Sequence, residues 1–79
     1  MAKKIYFIVM DTTKDREDPS QMNFYETRAL NDISGNLVLV AKMHKTHIEK
    51  MRLFVAPDKK TWERMRDEFV SRVDYGDII

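Results

Sequence analysis

The pattern of apolar and polar positions predicts mostly β-structure. Residues 4–10 are β-branched and aromatic on both faces, which is typical of a strand that is central or covered on both sides. Aromatic residues and a threonine favour a second strand over 22–30. Alternation of apolar positions over 37–45 and again over 51–56 predicts two further strands.

The segment 37–45 shows the clearest alternation in the chain. One predicted face carries Leu37, Leu39, Ala41 and Met43, and the other carries Val38, Val40, Lys42 and His44. Residues 31–36 are rich in turn formers, so the strands at 22–30 and 37–45 would form a hairpin. Between the first two strands, residues 11–21 lack an apolar period and predict a mobile acidic loop.

A helix is predicted after Pro57, which ends the fourth strand. Apolar residues recur there at helical spacing, namely Trp62, Met65, Phe69, Val70 and Val73. Asp58 or Thr61 is available as the N-cap. Tyr75, Gly76 and Asp77 would end the helix and leave Ile78 and Ile79 as an apolar tail.

These elements predict one α+β domain over residues 1–79. Its architecture would be an antiparallel four-stranded β-meander with one C-terminal amphipathic helix packed on one face, in the order β-β-β-β-α. One helix cannot cover both faces of such a sheet. The uncovered face would carry Val38, Val40 and Phe54, which favours a partner protein or a second copy of the chain as its cover.

Composition narrows the classes of function. The 79 residues carry 14 Lys and Arg against 13 Asp and Glu, so the net charge of +1 is too small for a dedicated nucleic-acid coat. The lack of cysteine excludes a disulfide scaffold and a thiol nucleophile. No apolar run approaches the length of a membrane span, so we expect a cytoplasmic protein that does not bind a membrane.

Candidate chemistry is sparse. Asp11 follows a strand, as catalytic aspartates do, but it has no second carboxylate two residues on. His44 and His47 would both reach one metal ion only if a turn began at Lys45. The two glycines cannot build a phosphate-binding loop. We therefore expect no enzyme, no cofactor and no metal site.

The one marked charge asymmetry lies in residues 42–60, where six Lys and Arg stand against two Asp and Glu. On the predicted sheet, one face carries Lys42, His44, Arg52 and Phe54. A basic face that contains an aromatic side chain is able to follow a phosphate backbone and stack a base. Nucleic-acid binding by this face is accordingly the alternative hypothesis.

The leading hypothesis is a small non-enzymatic module that binds another protein or complex. Its size suits a small inhibitor or accessory protein of the kind encoded by phages and mobile elements. Any of Met22, Met43 and Met51 that faces outward would add to such a docking surface. The predicted partner-binding residues are Val38, Val40, Lys42, His44, Lys50, Arg52 and Phe54.

Overall fold

The computed structural model describes residues 3–73 and shows an α+β fold. Its elements in chain order are β1 (Ile5–Asp11), β2 (Met22–Thr27), α1 (Asn31–Met43), a 3₁₀ turn (Ile48–Lys50), β3 (Met51–Val55) and α2 (Lys59–Arg72). In this part of the chain the strands form one three-stranded antiparallel sheet in the order β2-β1-β3.

β1 is the central strand, and a helix covers each of its faces. Phe7 and Val9 point to one side, where they pack with Val40 and Ala41 of α1. Ile8 points to the other side and packs with Trp62 of α2. Successive side chains of a strand alternate between faces, so β1 belongs to both cores.

The second core, between the sheet and α2, is aromatic. The Phe24 ring lies 5.9 Å from the Trp62 ring and 5.8 Å from the Phe69 ring, measured between centroids. The Trp62 indole N–H donates a hydrogen bond of 3.2 Å to the carbonyl oxygen of Phe7. This bond satisfies the one polar group of a buried side chain and fixes α2 against β1.

The predicted four-stranded meander with one helix is wrong. Residues 31–36, predicted as a turn, begin α1, and the predicted strand over 37–45 is largely the rest of that helix. Ile33, Leu37 and Val40, at spacings of four and three, all pack toward the sheet. Burial in the core beneath α1 therefore selects the helical period, although the apolar residues of 37–45 also fit the alternation of a strand.

The first and fourth predicted strands and the C-terminal helix are confirmed as β1, β3 and α2, whereas the strand predicted over 22–30 ends at Thr27. Asp58 is the N-cap of α2, and its carboxylate accepts a hydrogen bond of 2.7 Å from the backbone N–H of Thr61. Val70, predicted in the apolar stripe, is exposed. The predicted helix end at residues 75–77 and the tail at 78–79 lie outside the described residues.

The loop between β1 and β2 is tied to the end of α2. The Arg72 guanidinium donates to the carbonyl oxygen of Arg16 at 3.0 Å and to the side-chain oxygen of Gln21 at 3.1 Å. Asp18 accepts hydrogen bonds from the backbone N–H and the hydroxyl of Ser20. The acidic segment predicted to be mobile is thus organised by turns and by contacts to α2.

Candidate functional site

The outer side of α1 carries a second stripe of residues at helical spacing. These residues are Gly35, Val38, Leu39, Lys42 and Met43, and we refer to them as the α1 outer surface. Leu39 is 48% exposed and Met43 56% exposed, although the opposite side of the same helix is buried. A helix that is apolar on both sides usually lies inside a larger structure.

A groove of about 530 Å³ adjoins this surface where α1 leads into the 3₁₀ turn. Its apolar lining comes from Val38, Ala41 and Ile48, and its polar lining comes from Lys42, Lys45, Thr46 and His47. The Lys42 and Lys45 ammonium groups give the groove a basic character. The groove and the α1 outer surface share Val38 and Lys42, so they form one continuous region.

The structure separates the predicted partner-binding residues. Val38 and Lys42 are exposed on α1, whereas Val40 is buried in the core beneath that helix. Lys50 ends the 3₁₀ turn, and Phe54 is exposed on β3. The shared sheet face on which the prediction depended does not exist, because residues 38–43 belong to a helix.

Arg52 and Phe54 lie on the α2 side of the sheet, because they pair in register with Met10 and Ile8. Lys42 lies on α1, which covers the opposite face. The Arg52 guanidinium donates to the carbonyl oxygens of Glu49 and Met51, both at 3.0 Å. The basic residues of 42–60 therefore do not share one face: Lys42 lies on α1, Arg52 lies on the α2 side of β3, and Lys59 and Lys60 begin α2.

His44, the remaining predicted residue, contacts Asp11 at the end of β1. Its Nδ1 lies 2.7 Å from the Asp11 carboxylate, whose side chain is fully buried. Thr13 adds hydrogen bonds from its backbone N–H at 2.9 Å and from its hydroxyl at 2.5 Å. The Thr46 hydroxyl lies 3.4 Å from the same carboxylate.

Burial raises the pKa of Asp11, but the hydrogen bonds from Thr13 and His44 outweigh this effect and hold the pKa below its ordinary value. Asp11 is therefore a stable anion that orients the His44 imidazole. The arrangement resembles two members of a hydrolytic triad, but His44 does not line the groove beside α1. Its evident effect is to join the end of α1 to the end of β1.

His44 and His47 do not form the metal site considered from the sequence. His44 Nδ1 is directed at Asp11, whereas His47 lines the basic groove. Within residues 3–73, no group of three His, Asp or Glu side chains converges in a way that would hold a metal ion. Over the same residues, no helix is long and apolar enough to cross a membrane.

Leu39 and Met43 were missed as site residues because the strand prediction placed both on the buried face. The spacing of 35, 38, 39, 42 and 43 would have revealed them only if residues 31–43 had been recognised as a helix. Of the three methionines considered from the sequence, Met43 is exposed, Met22 is half-buried and Met51 is buried, so the expectation of an outward methionine applies to Met43 alone.

The chain matches no protein-family model, and searches of curated proteins and of solved structures likewise found no match.

Proposed function

We propose that this chain is a non-enzymatic protein-binding module that occupies a surface of a larger protein through the α1 outer surface and the adjoining groove. The observation that carries the proposal is the second apolar stripe of α1. Val38, Leu39 and Met43 are exposed on the outer side of one helix, around Lys42, at positions where a solvated helix would carry polar side chains. Burial of this patch by a partner would supply the apolar part of the binding free energy.

Gly35 supports a closely packed partner. It lies within α1, and a Cβ added there would meet no atom within 4 Å, so the described structure gives no reason for glycine. Glycine costs up to about 1 kcal/mol relative to alanine inside a helix. A partner backbone that approaches α1 closely at this position would explain the residue.

The charge of the groove indicates an acidic partner surface. Lys42 and Lys45 lie beside apolar Val38 and Ile48, so a matching partner would present carboxylates around an apolar contact. Exposed charges of this kind act mainly on the rate of association, since water and salt screen them.

The alternative function, nucleic-acid binding, required the basic residues of 42–60 to share a face with Phe54, and not all of them do. Lys42 and Phe54 lie on opposite sides of the sheet, so one bound strand cannot follow the lysine and stack on that aromatic ring together. The geometry therefore favours protein over nucleic acid as the partner.

The test is capture of partners from a lysate of the source cells, with and without nuclease, on the wild type and two matched variants. Leu39 and Val70 are both 48% exposed, but only Leu39 lies on the α1 outer surface. We expect Leu39→Ser to lose a nuclease-resistant protein that both the wild type and Val70→Ser retain. Equal capture by the two variants contradicts the proposed site, and material lost on nuclease treatment favours nucleic acid.

Two charge-reversal variants provide a second comparison once a partner has been identified. Lys42→Glu should slow association and reduce its dependence on salt, because it removes a positive charge at the groove. Arg64→Glu, an exposed change on α2, should leave the association rate within about twofold of the wild type. Stopped-flow or surface-binding kinetics at two salt concentrations measure both rates.

Gly35→Ala separates folding from binding. Its expected effect is to raise the free energy of unfolding by about 0.5–1 kcal/mol, since the site is helical and sterically open. The same methyl group should weaken partner binding if a backbone approaches there. Urea denaturation and a binding titration measure the two effects, and unchanged affinity would show that the partner does not approach closely at this position.

A further inference from the structure

β3 has one open edge in the described part of the chain. Within residues 3–73 it pairs with β1 alone. Three consecutive apolar residues on this strand are exposed: Leu53 at 44%, Phe54 at 43% and Val55 at 49%. An exposed apolar edge strand is a template for pairing with another strand, and most proteins protect such edges with charges, bulges or a covering element.

The hydrogen bonds at the two ends of β3 show which backbone groups point outward. Ala56 N–H donates to the Tyr6 carbonyl at 2.8 Å, and the Lys50 carbonyl accepts from Thr12 N–H at 3.1 Å. Bonded positions in an antiparallel ladder alternate, so the even-numbered residues of β3 bond to β1. The N–H and C=O groups of Met51, Leu53 and Val55 therefore point away from the sheet.

Met51 is already satisfied within the chain. Its N–H bonds to the carbonyl oxygen of Ile48, and its carbonyl oxygen accepts from the Arg52 guanidinium. Within residues 3–73, no hydrogen-bond partner is found for the outward groups of Leu53 and Val55. A strand added to this edge would therefore bond to these two residues.

We propose that a second copy of this chain occupies the edge, with the two β3 strands antiparallel and a two-fold axis passing beside Phe54. In this register Leu53 of one copy lies opposite Val55 of the other, and each such pair exchanges both of its ladder hydrogen bonds. The free outward groups are all used. The sheet then runs continuously through both copies as β2-β1-β3-β3-β1-β2.

The side chains are complementary in the same register. The two Phe54 rings meet at the axis on the α2 side, and a Leu53 and Val55 pair forms on each side of it on the α1 side. Arg52 lies opposite Ala56, so no like charges oppose each other. A shift that placed the axis at Arg52 would bring two guanidinium groups together.

In this register, the paired segment also ends at positions that could not form further ladder hydrogen bonds. Continuing it by one bonded position places Met51 opposite Pro57, which has no N–H to donate. The Met51 groups on the facing strand are the ones already bonded within their own chain. The surface is short, so we expect a weak, concentration-dependent dimer rather than an obligate one.

Sedimentation velocity over a wide concentration range tests the dimer, and a charge exchange at the axis tests the register. Phe54→Lys and Phe54→Glu should each weaken self-association by about tenfold or more, whereas their mixture should dimerise again because opposite charges meet at the axis. Leu53→Lys mixed with Leu53→Glu is the matched control. Leu53 faces Val55 in this register, so that mixture should not recover.

A wild type that stays monomeric at every concentration overturns the proposal, as does a Phe54→Lys variant that still dimerises. Recovery by the Leu53 mixture instead of the Phe54 mixture overturns the register. Circular dichroism confirms that each variant folds before its association is scored.

Amide hydrogen exchange on the wild type tests the same interface without a substitution. Protection of the Leu53 and Val55 amides should increase with protein concentration, whereas the Arg52 and Phe54 amides, bonded to β1, should not respond. Protection that appears only when an unrelated protein is added overturns self-pairing.

The experiment is independent of the proposed function. Leu39→Ser should dimerise like the wild type, so failure of partner capture and failure of dimerisation are separate results.

Discussion

Asp11 keeps a carboxylate where its side chain has no exposure to water, and hydrogen bonds compensate for that burial. Thr13 and His44 supply the donors, and within residues 3–73 no buried side-chain nitrogen or oxygen lacks a partner. A buried charge is costly unless it is satisfied in this way. The cluster therefore couples the end of β1 to the end of α1, beside the groove that His47 lines.

Asp11→Asn should lower the free energy of unfolding at neutral pH by about 1–3 kcal/mol, because neutral bonds replace charge-assisted ones. Asp15→Asn, in the exposed loop, is the control and should have little effect.

The free energy of unfolding that Asp11→Asn removes should also depend on pH. The folded-state pKa of Asp11 lies below its ordinary value of 3.8, so its stabilisation is complete above that pH and disappears as the pH falls through the lower value. Urea denaturation of both proteins from neutral to acidic pH measures the difference. A difference that grows on acidification would contradict this assignment.

At the scale of the element, α1 ends in an unusual way. Thr46 N–H bonds to the Ala41 carbonyl and Lys45 N–H to the Lys42 carbonyl, which together form a Schellman motif. The residue in the left-handed position is Lys45, with φ of 54°, where glycine is the common choice. The usual sequence signal for a helix end is therefore missing at this point.

Lys45→Gly should raise the free energy of unfolding by about 0.5–1 kcal/mol, because glycine adopts a positive φ without the steric cost of a Cβ. Lys42→Gly also removes a lysine from the groove but lies within the helix, so it should lower stability by up to about 1 kcal/mol. Thermal or urea unfolding measures both variants. Two changes of the same sign would contradict the assigned helix end.

At the scale of the whole molecule, β1 makes the two cores interdependent. Its Phe7 and Val9 side chains contribute to the core beneath α1, and Ile8 contributes to the core beneath α2. Loss of β1 from one core would remove it from the other. We therefore expect the two helices to unfold together.

Val9→Ala tests this interdependence, because it makes a cavity on the α1 side while Trp62, the only tryptophan, reports from the α2 side. Tryptophan fluorescence and far-ultraviolet circular dichroism should give coincident unfolding transitions, shifted equally to lower denaturant. Ile8→Ala, on the other core, should shift both probes in the same way and cost about 2–5 kcal/mol. Separate transitions for the two probes would show that the cores unfold independently.

Local patterns were sufficient to predict β1, β3 and α2. The β-branched and aromatic run of β1, the alternation and proline of β3, and the Asp58 cap of α2 each agree with the final fold. Burial agrees with local preference in β1 and along the buried side of α2, so tertiary packing had nothing to override there. In β3, Leu53, Phe54 and Val55 are exposed, and the strand follows from local preference and from pairing with β1.

Residues 31–43 are different, since every position from 37 to 41 is apolar and therefore satisfies a period of 2 as well as a period of 3.6. Intrinsic preferences differ there by less than about 1 kcal/mol per residue, whereas burial of one large apolar side chain contributes about 1.5–3 kcal/mol. Packing of Ile33, Leu37 and Val40 against β1 therefore decided in favour of the helix. The helix placed Leu39 and Met43 on an outer surface, and because residues 37–45 add no fourth strand, β3 lies at the edge of the sheet. Only the tertiary structure decided these two features, because they depend on contacts between residues far apart in the chain.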